Sequence, residues 1–357
     1  MFGRKPERIS RGPRHIVSRH ARFTWKEIGM SIEFMHVPTT GLQLRGEVAS
    51  VFDGPYETRR LALLERTCFR QLLIDGPAGI FANIGIAAAA ARTTSSLGLT
   101  LTHRAGIFQP TVAARQLAEL DRLSDGRLSI RFPVGFDVAA DGKPRSPRNH
   151  VEIFQQTDEY LVLLKRLWSN DRPFDHEGPF YSVTAGYVDR KSPRRAGIPI
   201  RMGGISGTAL KFAGRHADIF ELTPGTPEEV VKLMERMQVA AAPYGRAGKI
   251  RFALPVRVGP MRQADPSHPE GAKLDTVAKR IHVFGSPAHI GEALRAYTSI
   301  GVDEFMVEGL EDHLSIAEFS HQSAQSFKSV SSPVKPVKGT RRPTHASANR
   351  NFAVREN

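Results

Sequence analysis

Short apolar runs alternate with amphipathic segments along most of the chain. Runs of strand length and character occupy residues 31–37, 72–74, 97–103, 127–134, 198–202, 218–222, 250–258 and 303–307. Helical periodicity occupies residues 56–67, 80–93, 110–123, 151–168, 207–216, 228–241, 287–299 and 315–328. Strands that alternate with helices in this way are typical of parallel α/β architecture.

Eight strand–helix units within about 300 residues predict one (β/α)₈ TIM barrel over residues 30–327. The rival, an open doubly wound sheet, usually has fewer strands and a glycine-rich fingerprint after the first strand. Here the first strand runs into VPTTG, which has no such fingerprint. Residues 171–197 are too long for a plain connector and predict an active-site loop or hairpin. The roughly 25 residues before the helix at Pro287 are read as a connection.

Charge is concentrated at the two ends of the chain. The formal net charge is +14, but residues 1–29 hold eight basic against two acidic residues, and residues 328–357 hold seven against one. Both ends are expected to be basic, disordered tails. The near-neutral body argues against a specific nucleic-acid partner.

Composition narrows the class of protein further. No apolar run reaches the roughly 18 residues that a membrane span needs, and the start lacks a secretory signal pattern, so a cytoplasmic protein is expected. Cys68 is the only cysteine, which excludes an internal disulfide. The histidines show no zinc-ligand spacing, so no metal site is predicted.

The strongest chemical signal follows the fifth predicted strand, at Gly203, Gly204, Ile205 and Ser206. Active sites of such barrels lie at the carboxyl ends of the strands. Glycines allow close backbone approach, and the amides at the start of the next helix suit a phosphate. The same residues are also compatible with a plain tight turn in which Ser206 caps the helix.

Several long motifs resemble the luciferase-like flavin-dependent monooxygenases, with the alkanesulfonate monooxygenase branch the most similar. They are TVAARQLAELDRLSDGRLSI, EYLVLLKRLW, GGISGTALKFAGRHADIF, FGSPAHIGEAL and GVDEFMVEG. The resemblance runs in order from about Met30 to Gln325 and covers all eight strands. MSIEF resembles a typical start for such proteins, so residues 1–29 look like an extension.

The resemblance implies a barrel that binds reduced FMN supplied by a separate flavin reductase and that uses O₂ on a small organic substrate. It places the flavin phosphate at the turn of Gly204, Ile205 and Ser206, although Ile205 stands where the family usually has a serine. It also implies a homo-oligomer. Most sulfonate-specific residues are replaced. Arg131 stands where that branch has an asparagine, and Arg257 where it has a functional histidine.

The leading hypothesis is therefore an FMN-dependent monooxygenase in which His103, Arg104 and Arg131 lie near the isoalloxazine or the substrate and Arg257 faces the pocket. The two new arginines are open to two interpretations. They recognise an anionic substrate or phosphate, or they form salt bridges at the barrel rim. Two rival functions are a deazaflavin-dependent oxidoreductase and a non-catalytic flavin-binding or partner barrel.

Overall fold

Eight parallel strands close into a barrel in the computed structural model of this chain, as the alternating pattern predicts. The structure describes residues 32–38, 54–75, 80–133, 150–194, 197–259, 271–275, 280–285, 287–310 and 312–328. The predicted basic tails, 1–29 and 328–357, lie outside the described residues, apart from Lys328 at the end of the last helix.

The described elements follow one another in the order β1 (Glu33–His36), α1 (Gly54–Arg66), β2 (Phe69–Ile74), α2 (Ile80–Thr93), β3 (Gly98–Thr102), α3 (Pro110–Leu123), β4 (Leu128–Arg131), α4 (His150–Ser169), β5 (Phe174–Glu177), β6 (Ser182–Gly186), β7 (Ile200–Gly203), α5 (Gly207–His216), β8 (Ile219–Glu221), α6 (Pro227–Ala241), β9 (Arg251–Val258), β10 (Gly271–Asp275), β11 (Arg280–Phe284), α7 (Pro287–Thr298), β12 (Glu304–Glu308) and α8 (His313–Lys328). The barrel order is β1, β2, β3, β4, β7, β8, β9 and β12, and β12 pairs with β1 to close it.

Each barrel strand presents alternate residues to the barrel interior and to the helices. The outward residues, such as Phe34, Ile130 and Phe305, join one large apolar core with the helices. A separate small cluster fills part of the interior and consists of Met35, Leu73, Ile219, Ala253 and Met306. The two clusters are distinct, so they show which residues of these strands point into the barrel. The register with neighbouring strands then identifies the inward face of the others.

Two antiparallel hairpins interrupt the strand–helix alternation. The segment predicted as a loop or hairpin is the hairpin β5–β6. The connection before Pro287 contains two strands that the sequence did not predict, β10 and β11, and β11 extends the sheet beside β9. The sequences GAKLD and RIHVF are short, and their mixed charges hide the strand pattern.

The hairpin β5–β6 is bound to the flank of the barrel, along α4. The Glu159 carboxylate accepts hydrogen bonds from the backbone amides of Phe180 and Tyr181, both at 3.1 Å, and contacts Nε2 of His176 at 2.9 Å. Phe174 and Tyr181 are buried in the main core. These aromatic residues therefore pack the hairpin down instead of covering a ligand.

Local signals at helix ends match the structure. Pro110 opens α3, and Gly126 adopts a positive φ of 74° just after α3 ends. Thr226 caps α6 in a full capping box with Glu229. Helices α5 and α6 touch backbone to backbone, since a Cβ on Gly214 would lie 2.6 Å from the Ala240 carbonyl oxygen.

Two further features bear on the class of protein. Burial raises the pKa of the Cys68 thiol to about 12, so this buried cysteine is an unreactive packing residue. Among the helices that the structure describes, none has the length and apolar character to cross a membrane.

Candidate active site

Polar side chains gather where the barrel strands end, which is the catalytic end of this fold. The inward positions nearest the carboxyl ends of the strands hold Asp75, Thr102, Arg131, Gly203, Glu221, Arg257 and Glu308. We call this set of positions the mouth of the barrel. Of the predicted site residues, it includes Arg131, Gly203 and Arg257.

Arg131 crosses the mouth between two carboxylates. Its Nη1 donates to Oδ2 of Asp75 at 3.0 Å, and its Nε donates to Glu221 at 2.8 Å. Asp75 directly follows β2 and Glu221 ends β8, and these two strands lie opposite each other in the barrel order. Arg131 thus forms salt bridges at the barrel rim, and its recognition of an anionic group stays a prediction.

A second arginine, Arg201, lies deeper and is fully buried. Its two terminal nitrogens donate to the carboxylate of Glu304 at 2.6 and 3.1 Å, and its Nε lies 3.4 Å from Glu221. Burial alone would raise the pKa of Glu221, but Arg131 and Arg201 together hold that pKa below its ordinary value. Alternating charges thus run from Asp75 at the mouth down to Glu304; we call this the axial charge chain.

Sequence reasoning missed Arg201 and Glu304. A signal was present, since each is a charged residue inside an apolar strand, at the parity that faces the barrel interior. Lone buried charges are costly, so two such residues in different strands of one barrel predict a pair.

The predicted phosphate turn follows β7. Gly204 has a φ of 131°, in the region that favours glycine, and a Cβ there would lie 2.7 Å from the Ala209 Cβ. Ser206 caps α5, and its Oγ accepts a hydrogen bond from the Ala209 amide at 3.1 Å. Ile205 is half exposed, and its carbonyl accepts a hydrogen bond from Nη2 of Arg236 on α6 at 2.8 Å. The turn is thus exposed, glycine-dependent and next to a guanidinium.

His103 is placed in the layer between the barrel and α4, away from the inward face. It is 1% exposed, contacts the Tyr160 hydroxyl through Nε2 at 2.8 Å, and stacks with Phe108. Burial lowers its pKa to about 4, so it is neutral at physiological pH. The geometry gives this side chain a packing role, and its predicted place beside the isoalloxazine stays a prediction.

Arg104 and Arg257 are partly exposed at the catalytic end. Arg104 directly follows His103, and Arg257 lies in register between Glu308 on β12 and His282 on β11. Their roles in ligand binding stay predictions. Within the described residues, no group of His, Cys, Asp and Glu has the arrangement of a metal site.

Acid should destabilise this fold through its buried histidines. His36 and His103 have pKa values lowered to about 4 by burial, from an ordinary value of 6.5. The unfolded state therefore binds more protons between these values, so stability is full above about pH 6.5 and is lost as the pH falls toward 4. At pH 5 each histidine should lower the free energy of unfolding by about 2 kcal/mol relative to pH 7.5, measured by urea titration.

The variant His103→Phe should reduce the slope of unfolding free energy against pH between 5 and 6.5 by about one proton. His321→Gln is the control, because it removes an exposed histidine of α8 and leaves the buried pair intact. An unchanged slope in His103→Phe would show that folding does not lower the pKa of His103.

Residues 34–265 match the family model described as luciferase-like monooxygenase. The match covers more than half of the chain, and the protein belongs to the luciferase-like monooxygenase family.

Solved structures of the same fold include enzymes of different chemistry. Riboflavin lyase, solved with modified FMN and riboflavin, is 16% identical with a TM-score of 0.68, covering 84% of this chain and 91% of that one. A long-chain alkane monooxygenase is 16% identical with a TM-score of 0.67, covering 81% and 89%. The coenzyme F420 dependent tetrahydromethanopterin reductase of Methanopyrus kandleri is 16% identical with a TM-score of 0.63, covering 84% and 100%. At such identities these likenesses establish the fold.

Proposed function

We propose that this protein is an FMN-dependent oxidoreductase, a monooxygenase that uses reduced flavin and O₂ on a small organic substrate. A separate reductase would supply the reduced flavin. The observation that carries the proposal is the turn from Gly203 to Ser206, which lies at the catalytic end of a barrel of this family.

The turn fits a phosphate for three reasons. The first amides of α5 have no partner within the helix and are directed toward its N-terminus. Gly204 leaves the approach open, since its positive φ and its contact with Ala209 exclude a larger residue. The Ser206 Oγ accepts from the Ala209 amide, so its hydroxyl hydrogen remains available to donate to a phosphate oxygen.

Arg236 adds a positive charge to the same place. Its hydrogen bond to the Ile205 carbonyl holds the guanidinium beside the turn. A phosphate there would be attracted by this charge and by the positive end of the α5 dipole. Arg236 was not predicted from the sequence. Its guanidinium would compensate for the hydroxyl donor that is missing because position 205 holds isoleucine instead of serine.

Bound reduced flavin would supply the electrons and the position at which oxygen reacts. The chain's own residues would bind the phosphate at Gly204–Ser206, orient the ring system over the mouth, and present Arg131 and Arg257 toward the ligand. The paired charges of Arg131 make it a fixed hydrogen-bond donor at the mouth, with little free positive charge to attract an anion.

A deazaflavin-dependent oxidoreductase is the second candidate. The Methanopyrus reductase has the same fold and is named for its dependence on coenzyme F420. A phosphate-binding turn is useful for either coenzyme, so direct binding must decide between them.

The double variant Gly204→Val/Ser206→Ala should weaken FMN binding by about 10- to 100-fold, because charge-assisted hydrogen bonds contribute about 1.5–3 kcal/mol. Riboflavin, which lacks the phosphate, should bind equally well to the wild type and the variant. Quenching of flavin fluorescence on titration measures both affinities.

Thr226→Ala is the matched control, because it removes the equivalent cap of α6 and leaves the turn intact. It should lower stability by about 1 kcal/mol without changing FMN affinity. An FMN affinity that the double variant leaves unchanged would remove the phosphate assignment. Selective binding of coenzyme F420 would favour the second candidate, and failure of a folded protein to bind either would leave a non-catalytic barrel.

A further inference from the structure

Three polar groups at the mouth retain hydrogen-bonding capacity that the fold does not use. Asp75 contacts Arg131 through Oδ2, which leaves Oδ1 without a partner among the described residues. Arg131 uses Nε and Nη1 for its carboxylates, which leaves Nη2. Thr102 is 1% exposed, and its buried hydroxyl has no partner in the part of the chain that the structure describes.

These groups belong to three adjacent strands. Asp75 directly follows β2, Thr102 ends β3, and Arg131 ends β4 in register with Thr102. Thr102 has the same parity as Thr100, whose hydroxyl contacts Ser129 inside the barrel. The three groups therefore face the same interior surface, and an acceptor lies next to a donor.

The donor is held in a fixed orientation. Arg131 is bound on one side by Asp75 and on the other by Glu221, and Glu221 is itself held by Arg201. A guanidinium fixed in this way loses little rotational freedom when it donates to a ligand. The exposed fractions of the Asp75 and Arg131 side chains, 34% and 26%, show that both reach the surface of the mouth.

A hydrocarbon is a poor occupant of this surface. Covering a carboxylate oxygen and a guanidinium nitrogen with apolar atoms would bury both without hydrogen bonds, which is unfavourable. A group that fits must accept from Arg131 and donate to Asp75 at neighbouring atoms. A carbonyl beside an N–H, the edge of an imide, meets both requirements.

We propose that Asp75, Thr102 and Arg131 form a subsite that binds an imide edge, with the ligand N–H donating to Asp75 and the ligand carbonyl accepting from Arg131. The pyrimidine ring of a flavin or deazaflavin carries this edge, and so does an imide substrate. The first source rests on the proposed function, whereas the second does not.

Methylation of the ligand nitrogen tests the subsite in the wild-type protein. FMN and 3-methyl-FMN differ only at the ring nitrogen whose N–H would donate a hydrogen bond to Asp75. If the flavin occupies the subsite, FMN should bind at least about 10-fold more tightly than 3-methyl-FMN in a fluorescence titration. This comparison needs no variant and no turnover.

Asp75→Ala should reduce that ratio to about one, because the acceptor is gone. Glu221→Gln is the control, since it removes the other carboxylate partner of Arg131 and keeps Asp75. In Glu221→Gln the ratio of the FMN and 3-methyl-FMN affinities should stay as in the wild type. The ratio of two ligands on one protein is insensitive to a general loss of affinity, so a small disturbance of the mouth does not imitate the expected result.

A second arm tests the substrate source. Succinimide and N-methylsuccinimide are compared by saturation-transfer NMR, on the protein with and without saturating FMN. One result would assign the subsite to a substrate imide. The wild type would bind succinimide but not N-methylsuccinimide, Asp75→Ala would lose this binding, and FMN and 3-methyl-FMN would bind equally.

The two arms separate the possible failures. Absence of discrimination in both arms would overturn the subsite, even in a protein that binds FMN through its phosphate. Absence of any flavin binding would overturn the proposed function, and the succinimide comparison would still decide the subsite.

Discussion

Replacing Arg201 with methionine should lower the free energy of unfolding by about 3–5 kcal/mol. Arg201 is fully buried, and both oxygens of Glu304 accept its hydrogen bonds. Without the guanidinium, the Glu304 carboxyl would lose both of its hydrogen bonds to Arg201, and its pKa, which burial already raises, would rise further. Breaking a buried pair from one side leaves this desolvated, unpaired group, which is the main source of the loss. Urea unfolding at pH 7.5 measures it.

Two variants determine whether burial is the cause. Arg251→Met breaks the pair with Glu33, in which the side chains are 41% and 34% exposed, and should change stability by less than about 1 kcal/mol. The double variant Arg201→Met/Glu304→Leu should recover most of the loss, because it removes both charges together. A loss in Arg201→Met no greater than that in Arg251→Met would contradict the axial charge chain.

Replacing Arg127 with methionine should lower the free energy of unfolding by about 2–4 kcal/mol. Its Nη2 donates to the carbonyls of Ala91 and Thr94 at 3.0 and 2.9 Å, its Nη1 to that of Leu97 at 2.5 Å, and its Nε to that of Ser124 at 2.6 Å. One side chain thus donates hydrogen bonds to free carbonyls at the end of α2, and it joins this helix to β3 and to the turn before β4. Its charge also stabilises the C-terminus of α2.

The contacts of Arg127 are separable from its charge. Arg127→Lys keeps the charge but cannot reach all four carbonyls, so an intermediate loss is expected. Arg122→Met removes an exposed arginine of α3 paired with Glu119 and should change stability by less than about 0.5 kcal/mol. Thermal unfolding of the three variants, compared at one temperature, gives the order. Equal losses for Arg122→Met and Arg127→Met would exclude the carbonyl contacts as the cause.

The barrel could be predicted because its local signals agree with its global fold. Helices α2 and α5 begin and end at the residues that periodicity indicated, and α3 begins at Pro110 as predicted. Strand positions were correct to within a few residues, since apolar strands of a parallel sheet are buried on both faces. The hairpin β10–β11 was missed because its strands are short and carry charges of both signs.

The site was harder to predict from the sequence than the fold. The turn at Gly204–Ser206 is local and has a recognisable pattern, so the sequence located it. The pairing of Arg131 with Asp75 and Glu221 joins residues that are 56 and 90 positions apart. Periodicity predicts whether a side chain points into the barrel, but it does not predict which inward side chains of different strands become neighbours when the barrel closes.

The backbone contact between Gly214 and Ala240 has a consequence for ligand binding. It fixes α5 against α6, and Arg236 of α6 in turn holds the Ile205 carbonyl. The turn before α5 is therefore ordered by the folding of the two helices. A loop that is already ordered loses little conformational entropy when a ligand arrives, so the interaction energy of the phosphate would appear in the affinity almost undiminished.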